Sequence, residues 1–229
     1  HTPYTCRMFP RFINDFGGTR EMGVSFSCPV ASDMMFGLTE PMRFVSELNE
    51  FPPELNEIDA QTYFYLVKAR EKAFSIVQDR TYPIHQRLIS LLEFGVEIQK
   101  DLEEYKEGSD DIDFFDVFRN PELINPQWID RVNDGKIKPV SDEIFNENIA
   151  SYFIFRYFLT AVNDYDALSK IKMAVIGVLI VTYFGEDSWT IHLWSKETEH
   201  SQYNMDRYRE LLKNAKCLSV EELKKRLEM

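Results

Sequence analysis

Cys6 and Cys28 are the side chains of this chain best suited to chemistry, because a thiolate is both a nucleophile and a soft metal ligand. Each has neighbours that suit negative charge. Arg7 adjoins Cys6 and Arg11 follows closely, so both guanidinium groups are candidate contacts for a thiolate or another anionic ligand. Cys28 precedes Pro29 at what reads as a helix start, where unpaired N–H groups and the helix dipole favour an anion. Cys217, far along the chain in a C-terminal turn, reads as a packed residue.

Three uses of Cys6 and Cys28 stay open at this level. A disulfide fits the spacing but not a reducing compartment. Burial as two small hydrophobes needs no function and is the commonest fate of isolated cysteines. As metal ligands they are two of the four thiolates that an iron–sulfur cluster takes. Spacing alone does not choose among them. The candidate proton acceptor is His200, between Glu199 and Ser201, although a half-buried histidine bonding a helix neighbour is commoner than a catalytic one. His85 and His192, on helical segments, read as structural. The 11 Tyr and 18 Phe are numerous enough to line a cofactor pocket, yet a run such as Tyr152, Phe153, Phe155, Tyr157, Phe158 is more often core.

The elements that must position these residues are mostly helical. The 229 residues are 44% hydrophobic and 28% charged, a globular composition able to bury a sizeable core, and 9 Gly with 10 Pro interrupt it little. A net charge of -12 argues against binding nucleic acid and suits a basic protein partner. No secretory signal is visible, and the apolar run from Met173 to Phe184 is short for a membrane span, so the expectation is a cytoplasmic protein with no membrane partner.

The fold expected is mostly α, an irregular helical bundle with a small irregular Cys-containing segment over residues 1–57, part of the same domain, and a helical domain over 58–229. Within the first segment Gly17-Gly18 marks a turn, Met22 to Phe26 an extended piece, Pro29 to Gly37 a helix, and Phe44-Val45 a short strand. Asp59 is the expected N-cap of a helix to about Asp79, paired with a second from about Pro83 to Lys106 as a helical hairpin. Residues 107–139 read as a long loop with helical turns at Phe114–Arg119 and Pro126–Val132. Helices are then expected from Ser141, a candidate N-cap, to about Ala161 and from Asp166 to Phe184, the latter almost wholly apolar. Another, from Trp189 to Leu212, is expected to break near Glu197, and a last one follows Ser219.

The segments Thr5-Cys6-Arg7-Met8-Phe9-Pro10-Arg11 and Ser25-Phe26-Ser27-Cys28-Pro29-Val30-Ala31 resemble the "TCRxxPR…LSCPEAAR" signature of the bacterial flagellin lysine-N-methylase family. Ser195-Lys196-Glu197-Thr198-Glu199-His200-Ser201 is similar to that family's "SRxxEHS" stretch. The resemblance implies methyl transfer from S-adenosylmethionine to lysine side chains of flagellin, with Cys6 and Cys28 as ligands of an iron–sulfur cluster or other metal site. The chain departs from the signature at Val30, Ser32 and Asp33, and two cysteines do not complete a cluster. It also begins at His1-Thr2-Pro3, with no initiator Met. The expectation is therefore an N-terminally incomplete or divergent member, with further ligands upstream or the site lost. No glycine-rich strand-to-helix fingerprint of a dinucleotide-type fold is visible. The rival expectation is a non-catalytic helical interaction module, with structural cysteines and an acidic surface that binds a basic protein.

Overall fold

A computed structural model describes residues 9–48, 58–119, 122–141 and 143–229, and the protein is mostly α-helical. Cys6, Arg7 and the Pro52-Pro53 connector lie outside the described residues. The first described element corrects the expectation of an irregular stretch. Strands β1 (Arg11–Phe16) and β2 (Thr19–Val24) pair antiparallel, Arg11 opposite Val24 and Phe16 opposite Thr19. Gly17-Gly18 is their two-residue turn, and Gly17 takes φ 61°, a left-handed conformation that glycine adopts without Cβ strain. A two-stranded ribbon is marginal by itself, so packing decides it. Phe16 stacks on Tyr63 at 5.8 Å, Phe12 meets Tyr152 edge-on at 6.1 Å, and Arg70 pairs with Glu21 at 2.5 Å.

Helix α1 (Pro29–Phe36) follows, with Cys28 at its N-cap and Pro29 in its first turn, as the sequence predicts. Residues 38–48 form no strand. Phe44 instead stacks on Phe74 at 4.7 Å and on Phe155 at 4.4 Å, so the connector is held by aromatic packing and not by backbone pairing.

Helices α2 (Ala60–Val77) and α3 (Ile84–Leu102) pack on one another as the expected hairpin. The Asp59 carboxylate caps α2, accepting from the backbone N–H of Gln61 and Thr62. Short helices α4 (Phe114–Val117) and α5 (Pro126–Asn133) occupy the loop region where the sequence places helical turns. Helix α6 (Ile144–Tyr157) begins after Ser141, which does not cap it. The Ser141 carbonyl and hydroxyl accept instead from the Asn146 amide, which fixes the approach to the helix. A 3-10 turn (Phe158–Thr160) and α7 (Ala161–Asp164) lead to α8 (Ala167–Phe184).

Every residue of α8 except Lys170 is buried, because α6 and α3 pack along it. The helix is long and apolar enough to span a bilayer by length and composition, but 94% of it is covered by the protein itself. Helices α9 (Ser188–Glu199) and α10 (Gln202–Asn214) separate at His200-Ser201, not near Glu197. Glu197 stays helical and fully buried because its carboxylate accepts from the backbone N–H of Ile124 and Asn125, the start of α5. Ser201 caps α10, and Ser219 caps α11 (Val220–Leu227) by accepting from the Glu222 N–H. Phe16, Phe26 and Met35 belong to the same hydrophobic core as the helices.

Candidate functional site

The turn that carries Cys28 is fixed from both sides. Helix α1 lies against α9, and the turn Ser25-Phe26-Ser27 enters between α9 and α6. The Ser25 N–H donates to the Pro10 carbonyl, and the Cys28 N–H donates to the Ser25 carbonyl at 3.1 Å. Phe26 is buried and stacks on Tyr152 of α6 with ring centres 3.7 Å apart. The Ser25 hydroxyl donates to Glu199 at 2.6 Å, accepts from the Ser27 N–H at 3.1 Å, and lies 2.7 Å from the Ser27 hydroxyl. Ser195 Oγ stands 3.5 Å away. The cysteine-bearing segment and the Ser195–Ser201 segment, distant in sequence, thus meet in one polar cluster.

Glu199 is the centre of that cluster. Its side chain is 6% exposed, and it accepts from Arg156 at 2.9 Å and from the Tyr157 hydroxyl at 2.9 Å, besides Ser25. The Arg156 guanidinium also donates to the Tyr152 hydroxyl and lies over the Phe12 ring at 4.5 Å and the Tyr157 ring at 5.3 Å. Burial, with the Glu199 charge beside it, pushes the Tyr157 hydroxyl well above its ordinary pKa, and burial raises Tyr152 too. Both remain protonated, Tyr157 donating to Glu199 and Tyr152 accepting from Arg156. A buried ion pair gives little net stability, but its fixed directions select one docking geometry for the segments it joins.

The sequence-predicted residues divide. Cys28 is half-buried at the start of α1, and its carbonyl accepts from the Ser32 N–H at 3.1 Å. Arg11 is exposed at the first position of β1, and its side chain makes no hydrogen bond or ion pair among the described residues. Cys6 and Arg7 fall outside them. His200 is exposed at the end of α9, with the Phe9 ring edge-on at 6.0 Å. Cys217 is buried, which pushes its thiol up to about 11 and keeps it a packed, neutral group. The sequence reads Tyr152 and Tyr157 as core aromatics and gives Arg156 no site role. Their one signal is Arg156, a lone charge in an aromatic helical run.

His192 is a residue that the sequence reads as structural. It is buried, and its Nδ1 lies 3.1 Å from the Phe26 carbonyl, which also accepts from Ser32 Oγ at 2.9 Å. A carbonyl only accepts, so Nδ1 carries the hydrogen and Nε2 keeps a lone pair. Burial lowers its pKa below the ordinary 6.5; Lys196 and His200 act the same way, while the Phe26 bond and Asp33 oppose. The unfolded chain therefore binds a proton more readily than the folded one. Stability is expected to be full above pH 6.5 and to fall as pH drops from there through the lower folded value. Urea midpoints at about pH 7.5 and about pH 5.5 test this, and His192→Asn, whose amide reproduces the bond to Phe26, should show a smaller decline.

A tetrathiolate cluster takes four sulfurs. Among the described residues Cys28 is the one thiol of this region, and no three or more His, Cys, Asp or Glu side chains gather as a ligand set. The described residues do not make up a cluster site by themselves. A surface cavity of about 360 Å³ beside Tyr203 and Arg207, and one of about 180 Å³ beside Tyr105 and Lys172, are lined by no member of the Glu199 cluster. Comparison of the chain with protein-family models, curated proteins and solved structures finds no match, so the site itself carries the functional argument.

Proposed function

We propose that the protein is of the flagellin lysine-N-methylase type, acting with S-adenosylmethionine on lysine side chains, and that Cys28 and Cys6 contribute thiolates to an iron–sulfur or other metal site. The observation that carries this reading is the 2.6 Å bond from Ser25 to Glu199, which joins the two segments in which the family resemblance lies. Residues that resemble one signature but stand apart in the chain have a physical reason to occur together when each holds the other in place. Here Glu199 holds the turn before Cys28, and Ser27 and Ser32 tie that turn to the start of α1.

In this reading the protein's own groups do the positioning. Glu199, Arg156 and Tyr157 fix the backbone from Ser25 to Cys28, so the Cys28 sulfur is presented on a rigid helix start. The acidic surface suits a lysine-bearing partner. A bound cluster would supply redox or structural chemistry, and its remaining ligands must come from outside the described residues.

The test is metal and sulfide analysis with ultraviolet–visible absorption of the full-length protein purified without oxygen, alongside transfer of labelled methyl groups to flagellin. Cys28→Ser is expected to lose metal and visible absorption. A colourless, metal-free parent that transfers no methyl group, and that Cys28→Ser matches in every respect, would sink the proposal and favour a non-catalytic interaction module.

A further inference from the structure

We infer that His192 is the proton acceptor of the site, taking from a substrate's alkylammonium group, through Nε2, the proton it must lose before its nitrogen can attack a methyl donor. This rests on the lysine-methylation reading. A lysine ammonium has a pKa near about 10.4 and is not a nucleophile until it is deprotonated. The group that deprotonates it needs an available lone pair in a fixed direction.

His192 meets that requirement in the geometry. The Phe26 carbonyl holds Nδ1–H at 3.1 Å, which fixes the ring and its tautomer, and among the described residues nothing bonds Nε2. The ring is 5% exposed, so its neutral form is the favoured one. Phe26 lies in the turn that carries Cys28, so the imidazole is anchored to the same backbone as the cysteine. The Trp189 ring packs on the imidazole at 4.6 Å and is 38% exposed, giving a cation an aromatic face beside the base. The charged and titratable groups that face it are Asp33 of α1, which attracts an ammonium, and Lys196 and His200 of α9 and its end.

The alternatives are occupied or poorly held. The Glu199 carboxylate is already shared among Arg156, Tyr157 and Ser25. His200 stands in solvent, where a base gains little from its position. In the step itself the N–H bond of the ammonium breaks, its electron pair stays on nitrogen, and the proton binds Nε2. The imidazolium keeps its Nδ1–H bond to Phe26, and a neutral amine is left for the methyl donor.

His192→Asn separates the two ring nitrogens, since its amide N–H replaces Nδ1–H while nothing replaces Nε2. In full-length protein assayed with flagellin and labelled S-adenosylmethionine, it is expected to lower kcat by about 100-fold or more while KM moves by less than about threefold. His85→Asn, on α3, serves as the control. A kcat within about threefold of the parent overturns the inference and leaves the methylation reading standing. A parent that transfers no methyl group removes both. Should His192→Asn fail to fold, nitrogen-15 NMR of the parent with labelled histidine decides. The Nδ1–H tautomer at His192 supports the inference, and the Nε2–H tautomer overturns it.

Discussion

Glu199→Ala is expected to cost about 3–5 kcal/mol of folding stability, among the largest losses from any single side-chain truncation in this protein. The reason is what it leaves behind. Arg156, 13% exposed at its side chain, loses its only ionic partner among the described residues while still enclosed by Phe12, Tyr152 and Tyr157. The hydroxyls of Ser25 and Tyr157 lose their acceptor at the same time. An uncompensated buried charge costs far more than the pair contributed, because the desolvation is kept and the attraction is gone.

The same substitution is expected to loosen the turn before Cys28, which raises the rate at which iodoacetamide alkylates it, while buried Cys217 changes less. Urea unfolding with mass-spectrometric alkylation rates measures both effects. Combining Glu199→Leu with Arg156→Met should recover much of the stability, since replacing both charges removes the desolvation penalty. A loss below about 1 kcal/mol for Glu199→Ala, the range of an exposed pair, would mean that solvent reaches the cluster and that it is not buried as described.

Gly177→Leu is expected to cost about 3 kcal/mol or more, at the upper end of what overpacking does to a core. The site lies where α8 crosses α6. A Cβ at Gly177 would stand 2.7 Å from the Phe153 ring and 3.2 Å from Ile149, and the outer carbons of leucine have nowhere to go. Phe153 cannot move freely to make room. It touches Trp194 at 5.1 Å, Tyr157 at 6.0 Å and Phe26 at 6.1 Å between ring centres, so a shift in it reaches the Glu199 cluster. Thermal unfolding measures the loss, and Phe153→Ala in the same chain should restore part of it by removing the obstacle. Full additivity of the two losses would show that the ring is not what Gly177 accommodates.

Much of the helical architecture is legible in the sequence because its signals are local. Asp59 and Ser219 cap the helices they precede, Pro29 opens α1, and the unbroken apolar stretch of α8 implies a helix covered on all sides. The Gly17-Gly18 turn and an extended piece near Met22 are legible, but the pairing of β1 with β2 is not, since it takes its direction from Phe12 and Phe16 finding Tyr152 and Tyr63. Ser141 fails as a cap for a similar reason. Its oxygens are claimed by the Asn146 amide, a competitor that spacing does not reveal.

For the site, the sequence by itself determines which residue types are available: the thiol of Cys28 at a helix start, the acidic balance, and the segment from Ser195 to Ser201. Only the tertiary structure decides that Ser25 meets Glu199, that Arg156 closes the cluster, and that His192 holds its ring on the Phe26 carbonyl. The physical reason is one of range. Helix propensity, capping and periodicity act over a few residues and are written along the chain. The partner of a buried charge or a buried imidazole is chosen by desolvation, which acts only once distant segments are packed together.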